Sequence, residues 1–197
     1  MNLEPDEQRL VSLSQRADRQ AFGQLVTRHQ EAAFRAAYLI VRERGAAEEI
    51  AQEAFLRAHA GLGRFREGEP FRPWLLRIVT NLALNEVRAR SRRNGLLERL
   101  GWATARSAPA ADRVVLVDEE QRELWDAVNE LGPEDRVVLY LRYFLELPER
   151  EMAVAIGKAP GTVKSRLSRA SARLRTVIES RYPSLYAGAQ TPGGEDE

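Results

Sequence analysis

Ala159-Pro160-Gly161-Thr162-Val163-Lys164-Ser165-Arg166-Leu167-Ser168-Arg169-Ala170-Ser171-Ala172-Arg173-Leu174 reads as a helix with two opposed faces. Val163, Leu167, Ala170 and Leu174 recur at helical spacing and suit a core, while Thr162, Ser165, Arg166, Arg169 and Arg173 form a second stripe. Hydroxyls and guanidinium groups on that stripe match phosphates and guanine edges. Just upstream, Leu147 to Ile156 makes a short helix with Pro148 near its start, and Gly157 can end it. Gly157-Lys158-Ala159 is then the tight turn of a helix-turn-helix. Ala159 offers no side-chain acceptor at the N-cap, an omission worth about 0.5–2 kcal/mol. Pro160 at the first helical position offsets part of it through its fixed φ. An arginine-rich solvated helix has the same local pattern, so this stretch alone leaves both readings open.

Charge along the chain is segregated, although the formal net charge is only +1. From Lys158 to Arg181 seven basic residues stand against Glu179, and from Asp118 to Asp135 eight acidic residues stand against Arg122. A basic end can meet phosphate and an acidic segment cannot. The 197 residues suffice for one or two small domains. With no cysteine and only His29 and His59, disulfides, thiolate ligands and a zinc site are not expected, nor is any cofactor. No secretory leader or membrane-spanning run is visible, so a cytoplasmic protein with no direct membrane insertion is expected.

In the first half, Asp18 is positioned to cap a long helix carrying Phe22, Leu25, Val26, Ala33, Phe34, Ala37, Tyr38 and Val41 inward, with Gly45 as its end. A second helix, from about Ala46 to Leu62, turns Ile50, Ala54, Phe55, Ala58 and Leu62 inward. Its outward residues are Glu48, Glu49, Gln52, Glu53 and Arg57; local physics does not separate a solvated acidic face from a docking surface. Gly63 to Pro70 is a loop, with Phe65 a lone aromatic among charges. From Phe71 to Arg88, Trp74, Leu75, Ile78, Val79 and Leu82 make an apolar face, and Arg77, Asn81, Asn85 and Arg88 share the opposite one. Carboxamides in line with arginines suit base edges and phosphates, and equally a plain solvent surface. Asn94 to Val117 breaks periodicity and reads as a linker, its scattered Leu and Trp suited to a partner's groove. A helix with Leu124, Trp125, Val128 and Leu131, and another with Val137, Val138, Leu141, Tyr143 and Phe144, precede the helix-turn-helix. The Pro/Gly-rich acidic stretch after Arg181 reads as a disordered tail.

Over roughly residues 10 to 180 the chain resembles the extracytoplasmic-function (ECF) group of bacterial RNA polymerase sigma factors. Three motifs agree in order: Ala47-Glu48-Glu49-Ile50-Ala51-Gln52-Glu53-Ala54-Phe55-Leu56-Arg57-Ala58 with the polymerase-docking helix, Phe71-Arg72-Pro73-Trp74-Leu75-Leu76-Arg77-Ile78 with Asn81 for promoter melting, and Gly161 to Leu167 for the upstream element. The resemblance implies an all-α chain of two small helical domains: region 2-like over 1–93, a linker over 94–117, a region 4-like helix-turn-helix domain over 118–182, and an acidic tail over 183–197. It implies an alternative sigma factor, not an enzyme, that binds core polymerase, recognises the minus-thirty-five and minus-ten elements and promotes melting.

Carried over by position, Glu48, Glu49, Gln52, Glu53 and Arg57 would dock on the clamp of the largest polymerase subunit, with the flap of the second largest as a further contact. Phe65, Arg66, Glu67, Gly68 and Glu69, together with Asn81, would hold a base flipped from the minus-ten element. Arg77, Asn85 and Arg88 would steady the single strand. Thr162, Lys164, Ser165, Arg166, Ser168, Arg169 and Arg173 would meet minus-thirty-five duplex. An anti-sigma factor is a further implied partner. The chain departs from the family pattern at Asn85, where many members carry Asp, at Ser168, and at Ala159 in place of a Ser cap. The rival reading is a stand-alone helix-turn-helix regulator of duplex DNA, which leaves the Asn81/Asn85 face and the docking helix without a purpose.

Overall fold

The computed structural model describes residues 5–66, 68–99 and 119–188, and every regular element among them is helical. The first half comprises α1 (Pro5–Gln15), α2 (Arg19–Val41), α3 (Arg44–Gly61), a single 3-10 turn (Leu62–Arg64) and α4 (Phe71–Arg99). The second comprises α5 (Glu119–Asn129), α6 (Pro133–Leu139), a π-helical turn (Tyr140–Phe144), α7 (Glu149–Ile156), α8 (Pro160–Arg181) and α9 (Pro183–Gly188).

Helix ends follow local chemistry. Asp18 caps α2 by accepting from the backbone N–H of Gln20 and Ala21. Glu43 does the same for α3 through Gly45 and Ala46; these backbone bonds, that of Ala46 foremost, hold its carboxyl below the usual range. Gly45 therefore opens α3 rather than ending α2. The C-cap of α2 is Arg42, in the left-handed region at φ 57°. Gly157 ends α7 at φ 64°, and Pro160 starts α8 behind an Ala159 that makes no side-chain cap bond, both as the residues predict.

Between α1 and α2, Ala17 sits at φ 68°, where a Cβ is strained. Ala17→Gly is expected to raise the unfolding free energy by about 1 kcal/mol, read from urea denaturation. A loss of stability would show that the turn is relaxed as it stands.

The two halves share one core. α2 packs on α1, α3 and α4, while α8 packs on α5, α6 and α7; α4 also meets α7, and α2 meets α6. Leu39, Ile40 and Val41 are all buried, together with Ala33, Ala36 and Ala37. The end of α2 is thus covered on more than the one face its periodicity predicts, because α6 lies against it. α4 runs to Arg99, so the start of the expected linker is helical. The rest of that linker, Leu100 and Trp102 among it, lies outside the described residues. The helix expected through Phe144 gives way at Tyr140 to a π turn that leaves Tyr143 and Phe144 exposed. The expected tail begins instead with α9, held where Tyr182 and Ser184 donate to Glu130 and Glu123; its remainder lies outside the described residues.

Candidate nucleic-acid and polymerase interface

On α8, Val163 and Ala170 are buried and Leu167 and Leu174 half-buried, so the apolar stripe faces the core. Thr162, Lys164, Ser165, Ser168, Arg169 and Arg173 are exposed on the other side. Arg166 is half-buried because its guanidinium donates to the Glu134 carboxylate of α6, and Arg173 donates to the buried Asp135. Two guanidinium groups of the recognition face therefore already hold carboxylates.

On α3, Glu48, Glu49, Gln52 and Arg57 are exposed and Glu53 half-buried. Pairs Arg44–Glu48 at 2.8 Å and Arg57–Glu53 at 2.7 Å join successive turns. Leu56 stands among them, 67% exposed. No charge marks Leu56 in the sequence, yet it lies four residues from Gln52 and seven from Glu49, on one face with both.

Phe65 is not a loop-tip aromatic. It is buried, with its ring 4.8 Å from Trp74 and 6.1 Å from Phe71. Gln15 of α1 fixes the same turn by donating to the carbonyls of Leu62 and Phe65 at 3.0 and 2.8 Å; no local pattern marks Gln15. Phe65, Gly68 and Glu69 line a small cavity with Phe71 and with Glu7, Gln8, Val11 and Ser12 of α1. Glu7 itself is fixed by His29 Nε2 at 2.6 Å. Arg66 is exposed, and Glu67 lies outside the described residues.

Asn81 belongs to a different cavity. It lies with Arg77, Asn85 and Arg88 along α4, all exposed, on one wall of a cleft whose other wall is Glu134, Val137, Val138, Ile156, Gly157, Lys158 and Arg166. Arg88 reaches across to Glu134 at 3.6 Å. Arg77 lies against Gly157, where an added Cβ would stand in ordinary contact, 3.5 Å from its Nε. The structure thus brings the Arg77–Arg88 face beside the helix-turn-helix and leaves the Phe65–Glu69 loop in another cavity.

Among the described residues, no group of three or more His, Asp or Glu side chains is placed to hold a metal ion, and no helix is long and apolar enough to cross a membrane.

Family models for Sigma-70 region 2 and Sigma-70 region 4 match residues 25–93 and 121–174. The RNA polymerase sigma-H factor of Pseudomonas aeruginosa is 32% identical over 91% of this chain and 97% of its own length. The ECF RNA polymerase sigma-E factor of Escherichia coli is 32% identical over 91% and 95%. This chain belongs to the ECF group of sigma factors. It is also 33% identical to the probable sigma factor RfaY of Xanthomonas campestris pv. campestris, over 88% of this chain but only 44% of that protein. Solved structures of similar fold are CnrH in complex with the cytosolic domain of CnrY (TM-score 0.66, 24% identity, 89% of this chain and 99% of that one) and a sigma factor RpoE in complex with the anti-sigma factor NepR from Bartonella quintana (0.62, 22%, 81% and 98%). In this sigma factor the region 2 match covers the cleft face of α4 and the region 4 match covers α8 as far as Leu174.

Proposed function

We propose that this sigma factor docks on core RNA polymerase through α3 and reads a bipartite promoter with α4 and α8. Glu48, Glu49, Gln52, Glu53 and Arg57 meet the clamp of the largest subunit, and Leu56 supplies an apolar anchor in their midst. The region 4 half contacts the flap of the second largest subunit. Asn81, Asn85, Arg77 and Arg88 take the minus-ten single strand. The Phe65–Glu69 loop shelters a flipped base, whose capture offsets an unstacking cost of a few kcal/mol. Lys164, Ser165, Ser168 and Arg169, with Thr162, Arg166 and Arg173, enter minus-thirty-five duplex. No covalent chemistry is assigned to the chain, and its place of action is the cytoplasm, with polymerase. An anti-sigma factor is the further partner, by analogy with the sigma factor RpoE bound to NepR.

The observation that carries this reading is the pairing of a helix-turn-helix whose recognition face is polar and exposed with a separate Arg/Asn face on α4. A stand-alone duplex regulator uses only the first of these. The test is run-off transcription with purified core polymerase on genomic fragments, comparing the wild-type chain with Asn81→Ala. Discrete start sites that require the wild-type chain are expected. The variant should bind core polymerase normally and lose most open complex. Absence of both core binding and initiation would overturn the sigma reading; equal loss of both by Asn81→Ala would remove Asn81 from the melting face.

A further inference from the structure

Glu134 occupies the first turn of α6, where the helix N-terminus favours a carboxylate. Its two oxygens are shared between opposite walls of the cleft: one accepts from Arg166 on α8, and the other faces Arg88 on α4 at 3.6 Å. These two guanidinium groups belong to the two DNA-reading faces. Promoter elements named minus-ten and minus-thirty-five lie about 25 base pairs apart, on the order of 85 Å of duplex at 3.4 Å per step. Arg88 and Arg166 converging on one side chain is therefore an arrangement in which both elements cannot be read at once. A carboxylate bonded to arginine presents the same bidentate acceptor geometry as a phosphate.

We propose that Glu134 is an internal substitute for promoter phosphate: in the free sigma factor it holds Arg166 and Arg88 across the closed cleft, and DNA must displace it. The proposal rests on the DNA-binding reading of α4 and α8 but not on transcription itself. Three further features of the site support it. Asp135, the next residue, holds Arg173 in the same way. Arg136 ties α6 to α2, keeping the acidic turn at the cleft mouth. Finally, the acidic segment of the sequence ends at this turn, opposite the basic one.

The experiment measures binding of the full-length chain to a mixed-sequence duplex of about 30 base pairs by fluorescence anisotropy across a salt series, with the wild type, Glu134→Gln and Asp126→Asn. Asp126 is exposed on α5 and its substitution makes the same change in net charge. Glu134→Gln is expected to bind about two- to fivefold more tightly than wild type, as two screened pairs would allow. It should also show a salt slope steeper by about one, because a guanidinium no longer paired internally exchanges counterions with DNA. In parallel, spin labels on cysteines introduced at the exposed positions Gln24 and Ala172 report the cleft, the native chain having no cysteine. One narrow distance that lengthens when the duplex is added is expected. A Glu134→Gln affinity no higher than that of Asp126→Asn, or a distance already broad without DNA, would overturn the proposal. Failure of run-off transcription with these results intact would count against the sigma reading instead.

Discussion

Arg136→Ala is expected to lower the unfolding free energy by about 3–5 kcal/mol and to split one cooperative transition into two, because it leaves buried carbonyls without the charge that bonds them. The side chain belongs to the second half of the molecule, yet Nε and one terminal nitrogen donate to Leu39 and Ile40 at the end of α2, the latter at 3.1 Å. The other terminal nitrogen reaches the carbonyls of Asn129 and Leu131 at 3.2 and 3.0 Å. The last carbonyls of any helix lack partners within it. For α2 those partners come from a guanidinium some hundred residues later in the chain. Burial, and secondarily the charge of Arg42, pushes the Arg136 guanidinium down to about 10, so it still carries its charge at neutral pH. The closed arrangement thus carries a desolvation cost that the four acceptors must exceed. Urea unfolding followed by Trp74 in the first half and Trp125 in the second separates the outcomes. Coincident transitions with a loss below about 1 kcal/mol would mean that the halves are joined by their other contacts without need of Arg136. Arg136→Lys should recover only part of the loss, since an ammonium lacks the planar fork of donors that reaches all four carbonyls at once.

The closed arrangement also marks where the sequence stops being informative. Caps and turns are local chemistry, and Asp18, Gly157, Pro160 and the uncapped Ala159 could be read directly. The alternating faces of α3, α4 and α8 are equally legible, because apolar residues recurring at spacings of three and four over several turns show which side is apolar. Contacts between distant elements were not. Arg42 rather than Gly45 ends α2, where the Arg136 guanidinium of α6, which no window of α2 contains, donates to the carbonyls of Leu39 and Ile40. The unbroken run Leu39-Ile40-Val41 was the available signal that α2 is covered on further sides. In the sequence Phe65 is an aromatic set among charges, because its partners, Phe71 and Trp74, lie beyond the loop. The resemblance implies one base pocket for Asn81 and the loop, and the structure has them line separate cavities. Leu56 carries no charge to mark it, and its place at the centre of the charged face follows only from what surrounds it.

Phe71→Ala should be the most damaging single truncation in the first half, at about 3–5 kcal/mol. The ring is 1% exposed and sits 5.6 Å from Trp74, 6.1 Å from Phe65 and 5.4 Å from His29. It therefore joins the start of α4, the loop and α2. Losing it removes transfer free energy and leaves a void that three rigid rings cannot collapse to fill. Phe71→Leu keeps most of the volume and should cost under about 1.5 kcal/mol, so the fold survives for a functional comparison. Its effect on the loop is the more telling measurement. Phe65 would lose an edge contact while Gln15 still holds the carbonyls of Leu62 and Phe65. Binding of single-stranded minus-ten DNA in the presence of core polymerase should weaken in Phe71→Leu, and binding of minus-thirty-five duplex should not. Equal binding of both DNAs by wild type and Phe71→Leu would show that Gln15 positions the loop without help from the rings; equal weakening of both would trace the effect to stability rather than to the loop.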